Sequence, residues 1–316
     1  MVWQGRVYSK QQLVSVCGLG TVTGLLGANC YHMYYPFFPG ISVRNYTDEW
    51  LDEQNKKDNT PKSFDGKEYT AYEARQKQRK METAMRAQRQ KVKLMENGGA
   101  DKDEVMLHKA KYQAQLGEYA RFSKRMGLKQ QRERIYLGMR GRVAPRSLKA
   151  VKQFPPEMIQ NAGRDIAQYR RYKNVLGKSI GSLAEFGCMK YNDDKKWKEI
   201  KEVYIDVNWQ RKALVNRTKG TVHSVPYMGP SNSVFDNYKD GVIQNRRYYG
   251  KDGKTKLDID MSDYGNTKEH PIVPHYHNWY LTDKGTLKRE SKHDNALKLG
   301  HKIANSDILS EVMKDD

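Results

Sequence analysis

Three of the eight histidines of this chain, His270, His275 and His277, fall within eight residues of one another. His275 and His277 stand two apart in Val273–Leu281, where valine and aromatic residues predict a strand, so their rings share a face. Upstream, Leu257, Ile259 and Met261 alternate with Asp258 and Asp260, which sends both carboxylates to one face of a second strand. Arg246 and Arg247 lie in a third. Neighbouring strands would gather imidazole, carboxylate and guanidinium groups in one cleft, a set suited to phosphodiester cleavage without a metal. In that chemistry His275 and His277 serve as base and acid, and Arg247 stabilises the extra negative charge of the transition state. Asp260 orients a histidine beside Asp258, and His270 ranks third, because Pro271 and Pro274 stiffen the stretch that presents His275. The same residues permit a second chemistry, in which His-x-His and a carboxylate hold a divalent metal that acidifies a bound water. A non-catalytic surface hairpin is the third reading, since clustered His and Asp do not by themselves make a catalyst.

A second donor set lies near the amino end, where Cys30-x-His32 follows Cys17 by thirteen residues. Thiolate and imidazole are zinc ligands, but no further Cys pair supplies a fourth, and a packed cysteine with a hydrogen-bonded histidine is the stronger reading.

The elements that must carry these groups are read from periodicity and breakers. Tyr69–Glu96 has no Pro or Gly and is rich in strong helix formers; Asn97-Gly98-Gly99 stops it, and a second helix runs to about Met126. Apolar residues recurring at three, four or seven (Met81, Met85, Val92, Met95; Val105, Tyr112, Leu116, Tyr119, Phe122, Met126) predict an antiparallel helical hairpin. Shorter helices are expected at Asp165–Leu176, Ser182–Met189 and Asp193–Trp209. Beyond Thr221 the spacing predicts strands Val242–Tyr249, Lys254–Met261 and Val273–Leu281, then a terminal helix from about Asp294 to Met313. The fold class is therefore α+β: a long basic helical hairpin and short helices, followed by a small antiparallel-sheet domain.

Of the formal net charge of +20, residues 61–152 carry +14, from 24 Lys and Arg against 10 Asp and Glu, whereas residues 1–60 and 221–316 are each neutral. A basic zone between neutral ends points to a polyanionic partner, DNA or RNA, bound without sequence preference. Hydrophobic residues make up only 37% of the chain and charged residues 30%, which excludes a single large core. An odd set of three cysteines excludes a disulfide scaffold. The apolar stretch Leu13–Cys30 is interrupted by Gly18, Gly20, Gly24 and Gly27 and predicts neither a membrane anchor nor a secretion signal.

Several motifs in order resemble one family. Gly5-Arg6-Val7-Tyr8-Ser9, Gly18-Leu19-Gly20-Thr21, Asn29-Cys30-Tyr31-His32 and Pro36-Phe37-Phe38-Pro39-Gly40-Ile41-Ser42 resemble the minor capsid proteins of tailed bacteriophages. The basic hairpin and the stretches Tyr172–Gly177 and Met189–Tyr191 are similar too. The resemblance implies a virion component of the head, with phage portal and capsid proteins as partners, assembled in the host cytoplasm. It also implies a shortened amino end, since few residues precede the motifs. The block from Arg246 to His277 resembles carboxyl-terminal extensions of phage proteins, many of them toxin-like ribonucleases of the barnase–EndoU–colicin–RelE class. The expected organisation is a minor-capsid remnant at 1–60, the basic hairpin at 61–140, a linker with short helices at 141–220, and a nuclease-like α+β domain at 221–316. No cofactor is expected apart from the divalent metal of the second chemistry.

Overall fold

The computed structural model describes residues 9–28, 38, 40–43, 46–136, 141–147, 149–291 and 295–312. The chain divides into two compact units, one of residues 1–90 with 114–142 and one of residues 91–113 with 143–316.

The first unit opens with α1 (Lys10–Cys17) and α2 (Asp48–Asn59), neither of which buries a residue. A short antiparallel pair follows, β1 (Lys62–Phe64) and β2 (Lys67–Tyr69), which the sequence pattern does not announce. It leads into α3 (Ala71–Asn97); the end of α3 and the first half of the next helix, α4 (Lys102–Met126), belong to the second unit. Thr70 and Glu73 start α3 as a reciprocal cap: the Glu73 carboxylate accepts from the Thr70 N–H at 2.9 Å, and the Thr70 hydroxyl accepts from the Glu73 N–H at 3.3 Å. Within this unit Phe64 and Tyr69 meet Phe122 edge-on at 5.2 and 5.4 Å. Gln78 donates to the Ser123 hydroxyl and the Tyr119 hydroxyl to Glu82, so numbers rise on α3 as they fall on α4. The helices run antiparallel, as the stripes predict, but Gln78, Glu82 and Arg89 are buried beside Met85 and Phe122. The seam is partly polar, with Gln78 and Glu82 hydrogen-bonded across it and Arg89 donating to the Gly141 carbonyl at 3.0 Å.

The second unit continues through α5 (Lys149–Lys152), α6 (Pro156–Gln160), α7 (Ala162–Leu176), α8 (Leu183–Asn192) and α9 (Asp194–Leu214). Ser182 caps α8 and Asp193 caps α9 with their side-chain oxygens. Leu107 from α4 packs with Met158, Ile166, Tyr169, Phe186 and Ile200 in a helical core, where Tyr172 stacks on Tyr204 at 4.1 Å. The buried Glu104 is held by Arg170.

From α9 the chain enters a six-stranded sheet in sequential order: β3 (Arg217–Gly220), β4 (Val234–Lys239), β5 (Val242–Tyr249), β6 (Thr255–Asp260), β7 (His275–Leu281) and β8 (Leu287–Arg289). Two features depart from the sequence reading. The sheet is not wholly antiparallel, because β3 pairs parallel to β4. The long connection between them gives the chain the length to cross over that a parallel pair requires. The single terminal helix is two, α10 (Leu299–Ala304) and α11 (Ser306–Val312). At the break the buried Asn305 side chain donates to Gln210 at 3.0 Å and to the His301 carbonyl at 2.9 Å, and accepts from Tyr248 at 2.6 Å. One face of the sheet, with Val234, Tyr248, Leu257, Ile259 and Tyr276, is covered by Trp209 and Ala213 of α9 and Ile308 of α11. Alternation turns the remaining side chains of the same strands to the opposite face.

His301 sits under the covered face, its ring 4.5 Å from that of Tyr276. Burial, with Lys298 nearby, lowers its pKa to about 4. The unfolded chain therefore takes up a proton below about 6.5 that the folded chain refuses, and stability falls as pH falls. Between pH 7 and pH 5 this one group is expected to cost about 2 kcal/mol. Urea melts at the two pH values should show that loss, and His301→Gln should flatten it; an unchanged pH slope in the variant would contradict the assignment.

Candidate functional site

The opposite face of the sheet carries two cross-strand rows set by register. Asn237, Asn245, Asp260 and His275 follow one another across β4 to β7, and Phe235, Arg247, Asp258 and His277 form the next row. The two carboxylates and the two histidines, expected on one face of each strand, thus share one face of the sheet. They are directly opposite each other.

Asp260, His275 and His277 are all fully buried, with donor atoms within 4.8 Å of one another. The Nε2 atoms of His275 and of His277 each lie 3.5 Å from Asp260 Oδ2. His277 Nδ1 is 2.9 Å from the Glu290 carbonyl, which accepts its N–H and fixes the ring. His270, half-buried, places Nδ1 3.3 Å from His275 Nε2, and its ring meets that of Tyr264 at 5.6 Å. Burial raises the Asp260 carboxyl to about 6, against the pull of the Arg289 guanidinium that contacts it.

Arg247 and Asp258 form a closed pair. The guanidinium donates twice to Asp258, at 2.8 and 2.7 Å, and also to the Val225 and Pro226 carbonyls. The Trp279 ring lies 4.9 Å from the guanidinium carbon, and the indole N–H donates to Asp258 at 2.9 Å. Arg247 is therefore spent on pinning the 225–227 segment to the sheet. The guanidinium at the rim is that of Arg289, on the edge strand opposite Trp279, with about a third of its side chain exposed.

Beside Arg289 opens a cleft of about 440 Å³ lined by Arg289, Lys288, Arg247, His223, Asn245 and Trp279 among others. A second cavity of about 650 Å³ shares His223, Asn237 and Tyr264 with it. Among the described residues the buried Asn245 Oδ1 meets no hydrogen-bond partner. Of these residues Trp279 was legible as the next same-face position after His277. Arg289 was not, because it lies in a three-residue strand without a pattern of its own. Elsewhere, Cys17 carries a free, half-buried thiol, while Cys30 and His32 lie outside the described residues. No helix among the described residues is long and apolar enough to cross a membrane.

Neither a curated protein nor a solved structure gives a match. A family match covers less than half of the chain, ends before the sheet and does not reach the resemblance at 172–191. Residues 2–121 match the model of the family described as phage minor capsid protein 2, and the match supports a phage minor capsid relationship for the amino-terminal part of the chain.

Proposed function

We propose that the chain is a virion component of a tailed phage, a head-morphogenesis protein in contact with portal and capsid proteins, whose sheet carries a phosphodiester-cleaving effector. The observation that carries the second half is the cleft lined by cationic Arg289 and Lys288, with Arg289 also contacting the buried Asp260, around which His275 and His277 cluster. A phosphate anion is drawn to the rim, and Arg289 faces the charge that develops on its oxygens. Of the three clustered histidines the half-buried His270 is nearest solvent and exchanges protons with the attacking or leaving oxygen; His275, His277 and Asp260 act from behind it. In this reading Arg247 and Asp258 brace the cleft instead of touching phosphate. The exposed Val22, Ile41, Val43 and Trp50 of the minor-capsid-like region offer apolar surface to particle partners.

The test is incubation of the intact chain with end-labelled single-stranded RNA and DNA across pH 5–8. Cleavage is expected, with a loss of about 100-fold or more in Arg289→Ala and in His270→Ala. Slowed bacterial growth on expression would move the emphasis from a head component to a delivered toxin. An intact chain that cleaves neither polymer leaves a structural protein that binds nucleic acid without cutting it.

A further inference from the structure

We infer that Asp260, His275 and His277 form a binding site for one divalent first-row transition metal of the zinc class. The inference deepens the phosphodiester reading, on which any catalytic use of the metal rests; the binding itself can be measured apart from cleavage.

Distance is the first argument. The two contacts from imidazole Nε2 to Asp260 Oδ2 are each 3.5 Å. That exceeds the range of about 2.7–3.2 Å for a good N–H···O hydrogen bond. It is close to the spacing between neighbouring ligands around a tetrahedral zinc, about 3.3–3.4 Å for bonds of about 2.0–2.1 Å, and all three donor atoms lie within 4.8 Å of one another.

Direction is the second argument. The Glu290 carbonyl accepts the proton of His277 Nδ1, so in the neutral ring Nε2 is a lone pair, and it faces a carboxylate oxygen. A carbonyl behind a ligating histidine is the usual support of a metal site. His275 turns a single nitrogen, Nε2, toward both Asp260 and His270 Nδ1. A proton relay through an imidazole uses its two nitrogens in turn. One nitrogen aimed at a shared point is the geometry of a ligand.

Burial is the third. Both imidazoles and the carboxylate are closed to a group as large as phosphate, whereas a single ion needs only the space among their donor atoms. Two neutral imidazoles and one carboxylate leave a fourth position for water on the side bordered by His270. Arg289 competes for Asp260, but its Nε is already 3.8 Å from Asp258 Oδ2, so a shift onto Asp258 keeps it paired while the metal enters.

The experiment strips the intact chain with a chelator and titrates it with Co²⁺ and Zn²⁺. One equivalent is expected to bind, with the visible absorption of four-coordinate Co²⁺ and displacement by Zn²⁺. Asp260→Asn and His277→Gln should each weaken binding by about 100-fold or more while keeping the parent's circular dichroism. Side-chain nitrogen resonances of His275 and His277 in the unmutated chain should move to ligated positions on adding Zn²⁺, a readout that needs no variant. Absence of that movement, or equal binding by parent and variants, overturns the site. Metal bound without cleavage keeps the site and removes the nuclease reading. Undiminished cleavage by a chain holding no metal keeps the nuclease reading and removes the catalytic use of the metal.

Discussion

Replacing Arg246 by Met is expected to lower the stability of the sheet-bearing unit by about 3–5 kcal/mol, the range for breaking a buried ion pair from one side. Arg246 is fully buried on the covered face, where it donates to Asp236 at 2.7 and 2.9 Å. It also donates to Asp307 at 2.8 and 2.9 Å and to Asn305 at 3.1 Å. Burial works against its charge, and the hydrogen bonds to Asp236 and Asp307 more than offset that, so the guanidinium keeps its proton. Methionine fills the volume but leaves the fully buried Asp236 carboxylate with the more distant Arg217, 3.8 Å away, as its remaining cation. The double variant Arg246→Met with Asp236→Leu removes both charges and should recover much of the loss. Urea denaturation of the three proteins decides it. A single variant as stable as the parent, or a double variant no better than the single, would show that the pair does not hold the sheet to its covering helices.

The second large effect concerns the basic helices. If α3 and α4 bind nucleic acid, affinity of the intact chain for random duplex DNA should fall about 10³-fold or more between 50 and 200 mM salt, as expected for six or more neutralised phosphates. Arg75, Arg79, Lys80 and Arg121 are exposed in the first unit, and Arg75 and Arg79 are one helical turn apart. Changing these four to Gln should weaken binding alike on all sequences and reduce the salt slope by about 0.9 for each phosphate no longer neutralised. A salt-independent affinity, or strong preference for one sequence, would mean that base contacts rather than the phosphate backbone carry the interaction.

How far the sequence could be read depended on whether a residue's role is local. Gly and Pro spacing delimited α3 and α4. The alternation of Leu257, Ile259 and Met261 with Asp258 and Asp260 located β6, and the His275–His277 spacing placed both rings on one face. Those inferences need only period and chain neighbours. Arg247 and Arg289 show the limit. Both are arginines in or next to strands, and nothing local separates a guanidinium bonded to Asp258, Val225 and Pro226 from one left at the rim; only the cross-strand register does. The break between α10 and α11 was hidden for the same reason, because Asn305 is claimed by Gln210 and Tyr248, far away in sequence. The parallel β3 was missed because its short segment Arg217–Gly220 is too polar to read as a strand.

The Arg246 network also bears on the order in which the chain can become structured during synthesis. Asp236 and Arg246 emerge together, but Asn305 and Asp307 are made after every strand of the sheet. Until they appear, the ribosome-bound chain carries all six strands with a buried cation short of two partners and with Ile308 absent from the apolar layer. The covered face of the sheet is therefore completed by residues made last, and a product terminated before Asn305 lacks those contacts altogether.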